Sequence, residues 1–198
     1  MASQMDVFAG ADDRTAARED FPDGFRYAPE LITPEEEVEL LAHIGELPFR
    51  EFEFHGYKGK RRVVSFGWQY DFAARSLRKA DDIPPFLLEL RDLAAQFGGL
   101  EPGELQHILV TEYGAGAGIG WHRDKATFGV VIGISLLSPC VFRLRRRISE
   151  RRWERLSLIV EPRSAYVLSG GVREEWEHSI PSVSSLRYSV TFRNMRDG

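Results

Sequence analysis

Two stretches of this chain carry apolar residues at the spacing of an amphipathic helix. They predict helices over residues 34–46 and 85–97. Thr33 and Glu36 form a capping-box signature at the start of the first helix, in which each side chain accepts a hydrogen bond from the other's backbone. Residues 49–72 lie between the two helices and alternate between apolar and polar side chains, as β-strands do.

From residue 105 onward, short alternating segments dominate the chain. They predict seven strands, over residues 105–113, 129–137, 140–146, 155–160, 164–169, 176–180 and 186–193. Because helices do not alternate with these strands, the pattern does not suit a parallel sheet and favours a barrel or jelly roll. The predicted fold class is mostly β, a double-stranded β-helix (jelly roll) flanked by helices, with an N-terminal α/β extension.

The length of 198 residues predicts a single domain with three parts. Residues 1–20 are small and polar without periodicity, so we expect a disordered leader. Residues 21–104 are predicted to form the N-terminal extension, with both helices. Residues 105–198 are predicted to form the jelly-roll core.

Charge and cysteine content narrow the class of protein. The net charge of −4 does not suit a general nucleic-acid binder. Basic residues nevertheless cluster within 58–62 and 143–152, and each cluster is either a solvated surface or a contact for phosphates. Cys140 is the only cysteine, which excludes an internal disulfide and a cysteine metal site. Without a signal-peptide core or a membrane-length apolar run, we expect a cytoplasmic protein that does not contact membranes.

A candidate metal site comes from three residues. His122 and Asp124 are two positions apart, so on an extended segment both side chains point to one face. His178 lies far downstream and would join them through the fold. Two histidines and one carboxylate on one side of a metal form the facial triad of non-haem Fe(II) oxygenases. We predict that these three residues are catalytic and bind Fe(II), although manganese, cobalt or nickel also suit the donors.

The last predicted strand has one apolar and one polar face. Arg187 and Arg193 are six positions apart, so both lie on the polar face. Inside a jelly roll such a face is costly unless a ligand or a carboxylate satisfies it, whereas on an outer strand it would face solvent. Two guanidinium groups suit a dicarboxylate. Together with the metal triad, they predict 2-oxoglutarate and dioxygen as co-substrates.

Three segments resemble the AlkB family of Fe(II)/2-oxoglutarate-dependent dioxygenases. Residues 187–193, Arg-Tyr-Ser-Val-Thr-Phe-Arg, resemble the family's C-terminal strand. Residues 170–180 resemble its distal-histidine segment. Residues 109–125, from Leu-Val-Thr-Glu-Tyr-Gly to Trp-His-Arg-Asp-Lys, are similar to its first metal-binding segment. The resemblance is specific over residues 105–195 and looser over residues 25–104.

The resemblance implies a set of co-substrate contacts. It places Arg187 on the distal carboxylate of 2-oxoglutarate, with help from Tyr113 and Ser189. It places Arg193 near the carboxylate next to the metal. Thr111 and Ser189 stand where the family usually carries asparagine, and both keep a hydroxyl while losing the amide. Thr111 is therefore included among the predicted co-substrate residues.

The resemblance also implies a substrate. AlkB-like proteins oxidatively demethylate N-alkylated bases such as N1-methyladenine and N3-methylcytosine in DNA or RNA, releasing formaldehyde, succinate and CO2. The base would be held under a lid over residues 57–70, against aromatic and basic side chains. Six residues are predicted to bind substrate, namely Arg61, Arg62, Phe66, Trp68, Tyr70 and Arg123. Aromatic alternation of this kind also occurs in ordinary half-buried strands.

Three functions therefore stay open, because fold alone does not decide substrate. The first is a nucleic-acid demethylase for single-stranded or flexible substrates, without an obligate protein partner. The second is an oxygenase of the same fold that acts on a protein side chain or a small molecule, which the acidic composition leaves open. The third is a catalytically silent binding module, against which the complete triad and both arginines argue.

Overall fold

The computed structural model describes residues 21–54, 57–71, 76–79 and 81–196, so the predicted leader lies outside the described residues. The helices there are α1 (Pro34–Gly45), α2 (Leu88–Gly98) and α3 (Gly170–Glu175). The strands are β1 (Phe25–Ala28), β2 (Arg50–Phe54), β3 (Tyr57–Asp71), β4 (Ser76–Lys79), β5 (His107–Tyr113), β6 (Ile119–His122), β7 (Phe128–Leu136), β8 (Cys140–Arg147), β9 (Trp153–Val160), β10 (Ala165–Leu168), β11 (Glu177–Ile180) and β12 (Arg187–Met195).

The helices agree with local sequence signals. The capping box of α1 is confirmed, because Thr33 Oγ1 accepts from Glu36 N at 3.2 Å and Glu36 Oε2 accepts from Thr33 N at 2.7 Å. The second predicted helix begins with a 3-10 turn at Pro85–Leu87, and α2 follows it. Helix α3 was not predicted, since six residues are too few to show a helical period. Among the described residues, no helix has the length and apolar character that crossing a bilayer requires.

Two antiparallel sheets face each other, which confirms the predicted mostly-β class. In the described part of the chain, eight strands form one sheet in the order β1-β10-β7-β12-β5-β3-β2, with β4 added to β3. The other four form a second sheet in the order β6-β11-β8-β9. Strands β1, β2 and β3 come from the predicted N-terminal extension, yet they join the same sheet as the strands of the predicted core.

The large sheet packs on both of its faces. Helices α1 and α2 cover one face, where Leu40 and Leu90 pack with Val190 of β12. The other face meets the four-stranded sheet, and the rings of Phe142 and Tyr166 lie 4.6 Å apart between the two sheets. Polar residues on this second face are therefore enclosed by protein.

Strand β12 is central to this arrangement because it pairs with β7 on one side and β5 on the other. Its apolar side chains Tyr188, Val190 and Phe192 belong to the helix-side core, as the alternation predicted. Its polar side chains are also buried, and Arg187 is 0% and Arg193 8% exposed. The polar face of β12 thus points into the space between the sheets rather than into solvent.

Strand β3 changes partners at Gly67. Up to this residue it pairs with β5, and from Trp68 onward it pairs with β4. Gly67 has a φ of +75°, and a Cβ at this position would lie 2.1 Å from the backbone oxygen of Gln106. Glycine is required here both by the backbone conformation and by the close approach of a neighbouring chain.

Replacing Gly67 with alanine should therefore destabilise the protein by more than the cost of a left-handed alanine, which is about 1–2 kcal/mol. Gly99→Ala is the matched control, because Gly99 has a φ of +72° with nothing within 4 Å of the added Cβ. Thermal unfolding of both variants separates the two contributions. Equal losses would mean that the Gln106 carbonyl moves away without cost.

Candidate metal centre

The three predicted metal ligands meet between the sheets. His122 ends β6 and His178 lies opposite it on β11, so the two form a register pair in adjacent antiparallel strands. Their ring centroids are 4.2 Å apart. Asp124 follows β6 by two residues, and its Oδ2 lies 3.6 Å from His178 Nε2. One ligand atom from each residue falls within 4.8 Å of the others, a separation that one metal ion can bridge.

Both histidines are held in the neutral form that a metal needs. Burial lowers the pKa of His178 to about 3, and the proximity of His122 adds to the effect. Burial also lowers the pKa of His122. His122 Nδ1 lies 2.8 Å from the carbonyl oxygen of Gly120, to which it donates in the neutral ring. This hydrogen bond leaves Nε2 of His122 as the metal-binding nitrogen.

Asp124 is held as a carboxylate. Burial alone would raise its pKa, but the positive charge of Arg193 outweighs burial and lowers the pKa below its ordinary value. Arg193 Nε and a terminal nitrogen of the same guanidinium lie 2.9 and 2.7 Å from Asp124 Oδ1. Asp124 Oδ2 faces His178 and is free of this pair. Two neutral imidazoles and one carboxylate fit Fe(II).

Arg193 is in turn supported by His107, which was not among the predicted site residues. A terminal guanidinium nitrogen of Arg193 lies 3.2 Å from His107 Nδ1. Burial lowers the pKa of His107 well below its ordinary value, so Nδ1 can accept from the guanidinium. The ring of Phe128 packs against both side chains. His107 and Arg193 are register partners on β5 and β12, and this pairing is visible only once the two strands have been aligned.

Arg187 is a buried cation that lacks a full set of partners. Its Nε donates to Ser135 Oγ at 3.0 Å. Both terminal guanidinium nitrogens are buried and have no hydrogen-bond partner among the described residues. The ring of Tyr113 lies 5.1 Å from its guanidinium carbon. Because such a group is costly to bury, it fits an anionic ligand such as the carboxylate of 2-oxoglutarate.

The other predicted co-substrate residues line the same face. Thr111 and Ser189 are register partners on β5 and β12, and both are buried. Tyr166 on β10 was not predicted to belong to the site. Burial raises the pKa of its phenol above the ordinary value, and the positive charge of Arg187 opposes that rise. A hydrophobic position within a strand gives no signal that could have identified Tyr166 in the sequence.

A further unpredicted residue, Arg173 of α3, anchors the loop that follows the metal ligands. Its Nε donates to the carbonyl of Gly129 at 3.0 Å. A terminal nitrogen donates to the carbonyls of Lys125 and Phe128 at 2.6 and 2.8 Å. The loop after Asp124 is therefore tied to the helix that precedes His178.

Two of the predicted substrate contacts face away from the metal. Antiparallel partners share a sheet face, and Arg62 is opposite Glu112 on the face that α1 and α2 cover. Arg62 forms a two-pronged ion pair with Glu112 at 2.7 and 2.8 Å. Phe66 lies on this same face and is 5% exposed within the helix-side core. The register of β3 with β5 thus turns Arg62 and Phe66 away from the metal, against the expectation that they contact substrate.

Two other predicted contacts, Arg61 and Trp68, lie further along or beside Arg62 on β3. Arg61 precedes Arg62 and so points to the metal side, where its charge contributes to the lowered pKa of His122. Its guanidinium carbon lies 4.0 Å from the ring centre of Phe52. Trp68 follows the break at Gly67 and is 43% exposed.

The two remaining predicted contacts are Arg123 and Tyr70. Arg123 is exposed and donates to the backbone oxygen of Glu174 at 2.8 Å, at the end of α3. The side chain of Tyr70 lies outside the described part of the structure.

Comparison with known proteins agrees with this geometry. The sequence profile of the 2OG-Fe(II) oxygenase superfamily matches residues 24–196. The chain is 26% identical over 210 residues to the Arabidopsis thaliana protein named "Alkylated DNA repair protein ALKBH8 homolog", covering 88% of this chain and 59% of that protein. It is 36% identical over 91 residues to the Bos taurus protein named "Alpha-ketoglutarate-dependent dioxygenase alkB homolog 7, mitochondrial", covering 44% of this chain and 39% of that protein.

The fold has solved counterparts as well. A structure described as that of OsALKBH1 superposes with a TM-score of 0.69 at 16% identity, covering 88% of this chain and 98% of the other. The profile match spans most of the chain, and His122, Asp124 and His178 form a cluster that could hold a metal ion. The chain therefore belongs to the 2OG-Fe(II) oxygenase superfamily, as an AlkB-like member that uses Fe(II), 2-oxoglutarate and dioxygen.

Proposed function

We propose that this oxygenase demethylates N-alkylated nucleobases, such as N1-methyladenine and N3-methylcytosine, in DNA or RNA. The observation that carries the proposal is Arg61, a cationic side chain that the register of β3 with β5 directs to the metal side, opposite to its neighbour Arg62. A cation beside the metal suits a substrate that carries phosphates. The name of the Arabidopsis thaliana relative, an alkylated DNA repair protein, supports the same substrate class.

The proposed roles of the residues follow from their contacts. His122, Asp124 and His178 would hold Fe(II), and Arg193 would keep the Asp124 carboxylate oriented. Arg187 would bind the distal carboxylate of 2-oxoglutarate through its two unpaired terminal nitrogens.

When bound, the iron with 2-oxoglutarate and dioxygen supplies oxidation of a substrate C–H bond, and 2-oxoglutarate leaves as succinate and CO2. A hydroxylated N-methyl group then breaks down to the unmodified base and formaldehyde. In this scheme the buried residues between the sheets exclude water, and they orient the ligands and the co-substrate rather than transfer protons.

A second candidate is hydroxylation or demethylation of a protein side chain or small molecule. One observation favours this second function. Arg62 and Phe66 point away from the metal, so a nucleobase near the metal would have fewer contacts than the sequence predicts. The two candidates are separated by whether methylated oligonucleotides stimulate 2-oxoglutarate turnover. Oxidation of 2-oxoglutarate without such stimulation favours the second.

The direct test is mass spectrometry of an oligonucleotide with one N1-methyladenine, incubated with protein, Fe(II), 2-oxoglutarate and air. Each substrate strand should lose the mass of one CH2 group, in parallel DNA and RNA samples. Asp124→Ala should abolish this loss because it removes the only carboxylate of the triad. Asp92→Ala, which removes an exposed carboxylate on α2, should leave it unchanged. Activity that survives in Asp124→Ala would contradict the metal assignment.

Arg187→Met should stabilise the protein without co-substrate, because it removes a buried cation whose terminal nitrogens are unpaired. The same change should abolish the rise in melting temperature that 2-oxoglutarate causes in the wild type. It should also raise the KM for 2-oxoglutarate roughly tenfold or more, since hydrogen bonds to charged groups contribute about 1.5–3 kcal/mol. Differential scanning fluorimetry and succinate assays measure these effects. An unchanged response to 2-oxoglutarate would show that Arg187 does not bind its distal carboxylate.

Arg61→Ala and Arg62→Ala form a matched pair, since the two residues are adjacent and face opposite sides of β3. Arg61→Ala should raise the KM for a methylated oligonucleotide by roughly tenfold, the effect of losing about 1.4 kcal/mol of binding. Arg62→Ala should leave that KM near the wild-type value, because Arg62 pairs with Glu112 on the helix side. Oxidation of 2-oxoglutarate without substrate should be equal in both variants. If the two variants behaved alike, Arg61 would not be a substrate contact.

A further inference from the structure

The outer face of the four-stranded sheet is rich in arginine. Along β8, Phe142 and Leu144 point inward and are buried. The alternate positions Arg143, Arg145 and Arg147 therefore point outward. This row lies within one of the two basic clusters of a chain whose net charge is −4. Positive charge is thus concentrated on one strand of an acidic protein.

Strand pairing extends this row sideways. Arg155 on β9 and Glu177 on β11 are the two register partners of Arg145. Glu177 Oε2 accepts from Arg145 Nε at 2.6 Å. Among the described residues, no carboxylate forms an ion pair with Arg143, Arg147 or Arg155. The face therefore carries four arginines against one glutamate, and three of the four have no anionic partner there.

Two tryptophans contact the first two arginines of this row. The guanidinium carbon of Arg145 lies 4.4 Å from the ring centre of Trp121 and 4.3 Å from that of Trp153. That of Arg143 lies 5.3 Å from the ring centre of Trp121. Cation–π contacts of this kind restrict flexible side chains before a partner arrives, which reduces the entropy lost on binding. Trp121 also precedes His122 on β6, so this face adjoins the strand that carries a metal ligand.

We propose that this face, formed by Trp121, Arg143, Arg145, Arg147, Trp153 and Arg155, binds the phosphate backbone of a nucleic acid. Alternate residues of a strand are about 6.7 Å apart, which places the three β8 arginines in a line. A line of guanidinium groups suits a linear polyanion better than the flat surface of a membrane. The surface lies outside the metal centre, and binding to it needs none of the demethylation chemistry proposed above.

The test is fluorescence anisotropy with labelled, unmodified oligonucleotides (single-stranded DNA, single-stranded RNA and duplex DNA), without metal or 2-oxoglutarate. The variant is Arg147→Glu with Arg155→Glu, since both side chains are exposed. The matched control is Arg26→Glu with Arg50→Glu, which makes the same charge change on the two edge strands of the large sheet. A third variant, Arg147→Lys with Arg155→Lys, keeps the positive charge.

The glutamate variant should bind a single strand roughly tenfold more weakly, and its salt dependence should fall by about 1.4 in log–log slope for two lost phosphate contacts. The lysine variant should keep most of the affinity, and the control should bind as the wild type does. A cooperative thermal transition in every variant checks that the fold is retained, since Arg26 of the control also donates to the carbonyl oxygen of Gly98 at 3.0 Å. Equal weakening in the control, or none in the glutamate variant, would overturn the proposal.

The proposal would also be overturned if polyglutamate or phosphatidylserine vesicles bound as tightly as the oligonucleotides and were weakened as much by the glutamate variant. The oligonucleotides are unmodified and no metal is present, so the binding assay does not depend on demethylase activity. The binding result would stand even if the protein did not demethylate nucleobases. Conversely, demethylation of a methylated oligonucleotide that is unaffected by the glutamate variant would show that the face does not serve the metal site.

Discussion

Two guanidinium groups buried between the sheets constrain the rest of the site. Arg187 and Arg193 lie on the polar face of β12, the strand that pairs with neighbours on both sides. A cation in this space is costly unless an anion accompanies it. Arg193 has its anion in Asp124, whereas no described carboxylate pairs with Arg187. Arg193 therefore fixes the position and the charge of Asp124, a candidate metal ligand. Arg187 remains available to a carboxylate of the co-substrate.

The pairing of Arg193 with Asp124 links protein stability to metal chemistry. The guanidinium keeps Asp124 ionised in spite of its burial, and it occupies one carboxylate oxygen while the other faces His178. His107 and the ring of Phe128 hold the guanidinium from the other side. The same buried network that costs free energy in the folded protein therefore maintains the protonation state that a metal requires. This is a common arrangement at functional sites, where perturbed pKa values accumulate.

Sheet register decides which charged residues can take part in chemistry. Neighbouring residues of a strand point to opposite faces, so Arg61 faces the metal side while Arg62 pairs with Glu112 beneath the helices. On β8 the same alternation directs Arg145 to the outer face, where it pairs with Glu177, and Arg146 to the opposite face, where it pairs with Glu154 and Glu175. The basic cluster in the sequence is thus divided between two faces of the sheet. The outer face includes Arg143 and Arg147, which have no anionic partner among the described residues.

The sequence alone determined the features that depend on neighbours along the chain. These include the capping box at Thr33, the two-faced alternation of β12, and the spacing that puts His122 and Asp124 on one side. The tertiary structure decided which distant side chains meet. His107, Ser135, Tyr166 and Arg173 reach the site only through strand pairing and loop packing, so no local pattern marks them. The break at Gly67 likewise depends on the approach of Gln106, and Phe66 joined the core because β3 aligned with β5. The propensity to form a helix or a strand depends on consecutive residues. Register and burial depend on contacts between segments that are far apart in the chain.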